Sequence, residues 1–267
     1  MSLITLLTDF GAADYFVGAL KGAILSVNAR ARIIDITHEI PAHDVQAGAF
    51  ALLAAYRSFP PRTIHLAVVD PGVGSARRPL LIVTPNYYFI GPDNGLFSYV
   101  CESERDARVY QLTNEKFFRA PVSATFHGRD IFAPVAAALS TNVPPEAFGD
   151  MITDYVRLAP LAPVREAGAA WSARIIHIDR FGNLVTNLTG LELAGEEFAP
   201  GVKLEIGGRE ISSFRRFYAD AEGAAGDELF AIWGSAGFLE IAADRASAAG
   251  LLCAERGQRV RAARLAP

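Results

Sequence analysis

The hydrophobic pattern changes period again and again through the first half of the chain. LITLLTDF (3–10) is an apolar run of strand length that ends on a carboxylate. YFVGALKGAILSVN (15–28) repeats its apolar residues at helical spacing, and ARIIDITHEI (31–40) returns to a strand. HDVQAGAFALLAAYRSF (43–59) predicts a second helix with Ala, Leu and Phe on its inner face. TIHLAVVD, PLLIVTPNYYFIGPDNG and ARVYQLT read as strands, and FHGRDIFAPVAAALST (126–141) as a loop entering a helix. Strand and helix in alternation predict an α/β domain, an α/β/α sandwich with a mostly parallel sheet covered on both faces. Ligands of such sheets sit beyond the carboxyl ends of the strands. Asp9 and Asp70 fall there, each ahead of a glycine-containing loop.

The pattern changes near VRLAPLAPVREAGAAW (156–171), whose prolines and small residues resemble a linker. Beyond it, ARIIHIDRFGNLVTNL, VKLEIGGREI, DELFAIW, GFLEIAA and GQRVRAARL are short strands separated by glycine-rich turns. They predict a small all-β domain, antiparallel and barrel-like. The expected organisation is an α/β domain over 1–160, a linker over 161–170 and a β-rich domain over 171–267.

Composition narrows the class. Hydrophobic residues make up 51% of the 267 positions and charged residues 20%, which suits a substantial core. A net charge of -4 gives no reason to expect a nucleic-acid partner. Cys101 and Cys253 are far apart and in no metal-like spacing, and read as buried thiols of a reducing compartment. MSLITLLTDFG meets Asp9 too soon for a membrane span or signal peptide, so a soluble cytoplasmic protein is expected.

Several clusters carry candidate chemistry. In TDFGAAD (8–14), Asp9 and Asp14 are candidate substrate contacts, and a strand-end carboxylate such as Asp9 can hold a ribose diol. It can equally cap a helix or fix a turn. In VDPGVGSARR, glycines permit close approach of backbone to a ligand, and Arg77 can reach back to Asp70 as an ion pair, functional or structural. FHGRD sets His127 beside Gly128 at a helix entrance. IDRFGNLVTN groups Asp179, Phe181 and Asn183 around a turn, where a ring, an amide and a carboxylate can stack on a base, bond its edge and hold an amine. The plainer reading is an ordinary hairpin. Tyr218, Ser235 and Glu240 are open to the same two readings. His38, His43, Asp44, His65, Asp70, His127 and Asp130 are possible metal ligands, yet none forms a recognised short ligand spacing, and His65 is expected to point into the core. No metal is assigned. GxGxxG, GxxxxGK[ST] and GxSxG are absent, which weakens dehydrogenase, NTPase and serine-hydrolase readings.

Taken in order, TDFG, HEIPAHD (38–44), VDPGVGSARR, GPDNG (91–95), FHGRD, IDRFGNLVTN and SAGFLEIA resemble one family across nearly the whole chain. It is the adenosine-forming S-adenosyl-L-methionine hydrolases, or hydroxide adenosyltransferases, relatives of fluorinase and chlorinase. The resemblance implies a reaction without a cofactor and a homotrimer with sites at subunit interfaces. It implies that Asp9 holds the ribose diol, that Asp179, Phe181 and Asn183 grip the methionine amine, the adenine face and the adenine edge, and that Tyr218 covers adenine. Ser235 and Glu240 would lie near the methionyl end, with Arg245 touching adenine through its backbone.

The same resemblance makes Asp70, Arg77 and His127 the group that orients or activates water. Halide-using relatives carry tyrosine in place of this aspartate, and tyrosine and serine in place of His127 and Gly128. Gly128 supplies no hydroxyl to hold a halide, so water is the expected nucleophile and adenosine and methionine the expected products. The chain departs from the halogenating relatives at His43 (tryptophan there), Phe16 (serine) and Ala236 (arginine), and Phe16 and Ala236 are left out of the expected site. A halide-dependent adenosyltransferase, a non-catalytic adenosine-binding protein and a metal-dependent hydrolase are the competing readings.

Overall fold

A computed structural model of the chain describes residues 3–166, 170–193, 202–220 and 229–264. Residues 167–169 of the expected linker and the ends of RFYADAEG and DELFAIW lie outside the described residues. The chain divides into two compact units, Met1–Pro160 and Leu161–Pro267.

The first unit runs β1 (Leu3–Thr8), α1 (Phe16–Val27), β2 (Arg32–Thr37), α2 (Val45–Ala55), β3 (Ile64–Val68), β4 (Pro79–Val83), β5 (Tyr88–Pro92), α3 (Ser98–Ser103), β6 (Arg108–Gln111), α4 (Ala133–Ser140) and β7 (Met151–Ile152). Its sheet has the order β2-β1-β3-β5-β4-β6-β7. The pairs β1–β2, β1–β3 and β3–β5 are parallel, whereas β4–β5, β4–β6 and β6–β7 are antiparallel. The sheet is therefore mixed, with its parallel strands at one side. PLLIVTPNYYFIGP is the cause: Thr84–Tyr87 folds as a tight turn, with Thr84 N–H donating to Tyr87 C=O at 2.9 Å, and makes a hairpin of what reads as one apolar stretch. Alternate residues of β1 face opposite ways, as pleating requires. Ile4 and Leu6 share a core with Leu20 and Ile24 of α1 and Val135 and Leu139 of α4. On α2, Gly48 lies where an added Cβ would stand 2.9 Å from a Leu96 methyl and 3.0 Å from a Val69 methyl, so a larger residue there would have to push those side chains aside. Asp44 caps α2, accepting from Ala47 N–H at 2.9 Å. His65 is fully buried in β3.

The second unit runs β8 (Val164–Arg165), β9 (Trp171–Ile178), β10 (Leu184–Thr189), β11 (Val202–Ile206), β12 (Arg209–Ile211), β13 (Leu229–Trp233), β14 (Phe238–Ala243), α5 (Ala248–Leu252) and β15 (Arg259–Arg264). Strands in the order β12-β11-β15-β9-β10-β14-β13 form an antiparallel sheet, with β8 added beside β9. The short strand β8 thus lies within the expected linker, and Leu161 is anchored by Asn187 Nδ2 donating to its carbonyl at 2.6 Å. Beyond β12, Phe214 bridges Ala231 of β13, which nearly closes the sheet into a barrel. Leu184, Leu204, Leu239, Ile241 and Val260 fill it.

Cys253 is exposed and Cys101 half-buried, so the thiols are not both interior as expected; both are free. Among the described residues no helix is long and apolar enough to cross a membrane. Nor do three His, Cys, Asp or Glu side chains gather there as metal ligands would.

Candidate active site

Strand β3 ends at Val68, and two residues later Asp70 stands at the mouth of the Pro71–Ser75 loop. The loop folds on itself, with Ser75 N–H donating to Gly72 C=O at 3.1 Å and Val73 N–H to Asp70 C=O at 3.2 Å. Gly74 has φ +78°, and a Cβ there would come 2.2 Å from the carbonyl oxygen of Ala124. Glycine at this position is what lets the loop lie against the segment leading to His127.

The turn returns Arg77 onto Asp70. Its Nε donates to Asp70 Oδ1 at 3.0 Å and Oδ2 at 2.9 Å, and its Nη2 to Oδ2 at 2.5 Å. The same Nη2 lies 2.7 Å from His127 Nδ1. Both side chains of the ion pair are nearly enclosed, at 8% exposure for Arg77 and 4% for Asp70. A guanidinium can only donate, so His127 Nδ1 accepts, and the neutral ring carries its hydrogen on Nε2. Burial and the adjacent Arg77 charge hold the His127 pKa below its ordinary value, against a smaller opposing pull from Asp70 and Asp130. Arg77 Nη1 is buried and has no partner among the described residues.

Arg78, next in sequence, does different work. It donates to Asp93 Oδ2 at 2.9 Å and to Asp154 Oδ1 at 2.9 Å, tying GPDNG to the end of the unit. Asn94 of the same motif donates to Val69 C=O at 2.8 Å, steadying the strand end that presents Asp70.

Asp70, His127 and Gly128 line a cavity of about 270 Å³ together with Asp9. Asp9 Oδ2 accepts from His43 N–H at 2.9 Å, and Asp9 does not cap α1. Phe10, Phe16 and Phe126 wall the cavity, with ring centroids 5.4–5.9 Å apart. A Cβ on Gly128 would already touch Phe126 at 3.4 Å and Phe10 at 3.6 Å. The cavity is therefore hydrocarbon on one side and charged on the other. Sequence reasoning missed Phe10, named His43 only as a possible metal ligand and a departure from the halogenating relatives, and set Phe16 aside. The three rings come from separate segments, and no spacing in the chain announces that they meet. Asp14 is exposed and does not line this cavity.

In the second unit, a cavity of about 770 Å³ is lined by Asp179, Phe181, Asn183, Tyr218 and Arg245, with Ala243, Ala246 and Ser247. Asp179 organises its own turn. Its Oδ1 accepts from Phe181 N–H at 2.9 Å and Asn183 N–H at 2.8 Å, and its Oδ2 from Asn183 Nδ2 at 2.9 Å. Gly182, at φ +84°, sits where a Cβ would stand 2.0 Å from Ser247 Oγ, which lets the turn meet the start of α5. The turn leaves the Phe181 ring 76% exposed.

Tyr218 OH donates to Glu240 Oε2 at 3.2 Å and receives a long contact of 3.5 Å from Asn183 Nδ2. Burial and the Glu240 charge push the Tyr218 hydroxyl up to about 12. Burial, with a smaller contribution from Asp179, raises Glu240 as well, against the Tyr218 hydrogen bond. Glu240 packs on Gly234, where a Cβ would fall 1.9 Å from its Oε1. Glu240 touches the cavity only through Tyr218, and Ser235 is exposed on the neighbouring turn, outside the lining. Arg245 adopts φ +52° in the lining, a strained shape for a non-glycine residue.

Comparison with known proteins agrees with this division. Residues 4–149 match the N-terminal domain of the SAM hydroxide adenosyltransferases and residues 173–261 their C-terminal domain. An (R)-S-adenosyl-L-methionine hydrolase of Methanocaldococcus jannaschii is 42% identical over 70% of this chain and 67% of its own length. One from Salinispora tropica is 37% identical over 97% of this chain and 96% of its own. A fluorinase from Actinoplanes sp. is more distant, at 29% identity over 91% of each chain. The crystal structure of an uncharacterized conserved protein from Thermotoga maritima superposes with a TM-score of 0.90 at 36% identity, covering 98% of this chain and 100% of that one. With both domain matches present and relatives similar from end to end, the chain belongs to the SAM hydroxide adenosyltransferase family.

Proposed function

We propose that the chain hydrolyses S-adenosyl-L-methionine to adenosine and L-methionine by attack of water at the ribose C5′. The observation that carries this reading is the enclosed Asp70–Arg77–His127 cluster, of which Asp70 and His127 line a cavity shared with Phe10, Phe16 and Phe126 while Arg77 bonds both from behind the lining. The sulfonium leaves as a neutral thioether, so the leaving group needs no acid. The protein has to supply a nucleophile held in line at about 3–3.5 Å from the carbon.

Each member of the cluster has one role open to it. Asp70 is the acceptor and takes a proton from the water. His127 offers Nε2–H, because its Nδ1 is committed to Arg77. Arg77, outside the lining, holds Asp70 and His127 in place and sets its positive charge behind them. One acceptor and one donor at the lining fit a water that becomes hydroxide, and the His127 hydrogen and the nearby Arg77 charge stabilise the charge as it develops. A halide in the same place would face the Asp70 carboxylate and gain no hydroxyl from Gly128, which disfavours halide transfer. Asp9 holds the ribose diol, and Asp179, Phe181, Asn183, Tyr218 and the Arg245 backbone hold the adenine and amino-acid ends. Ser235 and Glu240 act at the edge of that pocket.

The active form is proposed to be a cytoplasmic homotrimer with sites at subunit interfaces, a reading supported by the uncovered rings of Phe181 and Tyr218 at the second cavity. The (R) epimer is the proposed substrate, because it is the one named for relatives at 37–42% identity. Chromatography of products after incubation with each epimer is the test. Adenosine and methionine in equal amounts, without added halide or metal, are expected; an intact substrate, or a product that needs chloride, contradicts the reading.

A further inference from the structure

We infer that His38 is a positioning residue for Asp9, acting through the hydroxyl of Thr8. The inference rests on the reading above, in which Asp9 holds the ribose.

The two parallel strands β1 and β2 end side by side, and their register slips by one residue just before they do. Leu6 faces Asp35, but Leu7 faces Thr37, so Ile36 is an extra residue in β2. A slip of this kind re-aims the side chains that follow it. Here it sets His38 beside Thr8, with Nδ1 2.8 Å from Thr8 Oγ1. Thr8 Oγ1 also accepts from Phe10 N–H at 3.3 Å. Its single hydrogen is left for His38 Nδ1, which pairs with an imidazole hydrogen on Nε2, the nitrogen that faces the Asp35 carboxylate. That nitrogen lies 3.2 Å from Asp35 Oδ1, a charge contact short of full hydrogen-bond geometry. Lys21 Nζ holds the other oxygen of Asp35 at 2.6 Å. Lys21 thus holds Asp35, Asp35 faces His38 across a charge contact, and His38, Thr8 and Phe10 are joined by hydrogen bonds.

The chain converges on the two sides of Asp9. Thr8, before it, is held through its side chain, and its carbonyl takes a 3.4 Å contact from Ile40 N–H. Gly11, after it, donates from its N–H to the His38 carbonyl at 2.8 Å while adopting φ +67°. The Asp9 carboxylate itself is met by the N–H of His43, further along the same HEIPAHD segment, at 2.9 Å. His38 is thus the side-chain contact that fixes the template on which Asp9 is aimed, and its ring is only 9% exposed. A carboxylate that must span two ribose hydroxyls works only if its own geometry is held to within about half an ångström.

A hydroxyl, an imidazole and a carboxylate in a row also suggest a nucleophile. Thr8 is fully buried and its oxygen already accepts a hydrogen bond, so no substrate reaches it. The arrangement holds the loop instead.

The experiment measures KM and kcat separately, with thermal midpoints, for His38→Phe, His38→Asn, Thr8→Val and Thr8→Ser. The Phe and Val variants keep bulk and lose the polar link. They are expected to raise KM about tenfold while kcat changes less than about threefold. His38→Asn, whose Oδ1 can replace Nδ1 as acceptor, and Thr8→Ser, which keeps the hydroxyl, recover most of the loss. A role in stability alone would lower the midpoint without this split and without recovery, and would overturn the inference, as would a wild-type KM in His38→Phe. If the wild-type protein leaves S-adenosyl-L-methionine intact, the functional reading fails on its own account. A crystal structure of His38→Phe then decides: the Asp9 carboxylate displaced from His43 N–H supports positioning, and an unmoved carboxylate refutes it.

Discussion

The two cavities differ in how much of their work is done before a ligand arrives. In the first unit, the Asp70–Arg77–His127 cluster is enclosed, its three members tied to one another by hydrogen bonds, and backed by the Phe132 ring, over which the Arg77 guanidinium sits at 5.2 Å. In the second, Asp179 and Asn183 spend their bonds on their own turn, and the rings of Phe181 and Tyr218 stand 76% and 50% exposed. Fixed charges are useful only where they cannot relax, so the groups assigned to the reacting water are locked by one another. Rings that stack on a flat base gain by being uncovered until it binds, because the apolar area they then bury is itself the driving force.

That contrast gives a graded set of expectations. Asp70→Ala removes the one acceptor at the water and should lower kcat about a thousandfold, with adenosine affinity by calorimetry changed less than about threefold. A kcat within tenfold of wild type would move the base elsewhere. Phe181→Ala should show the reverse split, KM up about tenfold and kcat nearly constant, as expected when a group binds ground state and transition state alike. If kcat fell instead, the second cavity would not be a passive binding surface.

The pH profile probes the imidazole. Neutral His127 is the form that accepts from Arg77, and its pKa is lowered below the ordinary 6.5 mainly by burial and then by the Arg77 charge. The rate assigned to it is therefore present through neutrality and is lost only as pH falls through that lowered value. His127→Asn, which keeps an acceptor but cannot be protonated, should abolish the acid limb assigned to this ring. A limb that survives unchanged belongs to another group.

The smallest effect concerns stability. His65 is buried, with Nδ1 2.7 Å from Thr5 Oγ1, and burial lowers its pKa from 6.5 to about 3. Between those values the unfolded chain binds the proton and the folded chain does not. His65 therefore contributes stability above pH 6.5 that is lost as pH falls toward 3, at about 1.4 kcal/mol per unit. Denaturant titrations from pH 7 to 5 should show His65→Phe with a shallower loss than wild type. Equal slopes would mean that the ring is protonated within the fold.

How much of this was legible in the sequence depends on the range of each contact. Asp70 and Arg77 are seven residues apart across a glycine turn, so their pairing follows from local geometry. Asp179, Phe181 and Asn183 lie within one turn and were likewise readable as a group. The parallel strands β1, β2 and β3 follow from strand–helix alternation, while the antiparallel half of the sheet hinged on a four-residue turn hidden inside an apolar stretch. The meeting of Phe10, Phe16 and Phe126, and of Thr8 with His38, depends on which side chains face one another across the fold. For His38 it also depends on one inserted residue in β2, which no periodicity marks. Ser235 lies on an exposed turn outside the lining of the second cavity within one chain, and its place in the expected site came from the motif resemblance rather than from any local spacing.

The central claim is that solvent attacks the sugar carbon, and the fate of the oxygen tests it most directly. The reaction should be run in ¹⁸O-water and both products analysed by mass spectrometry. Attack of water at C5′ puts one heavy oxygen in adenosine, at the 5′ hydroxyl, and none in methionine. Heavy oxygen on the amino-acid side, or unlabelled adenosine, would contradict it.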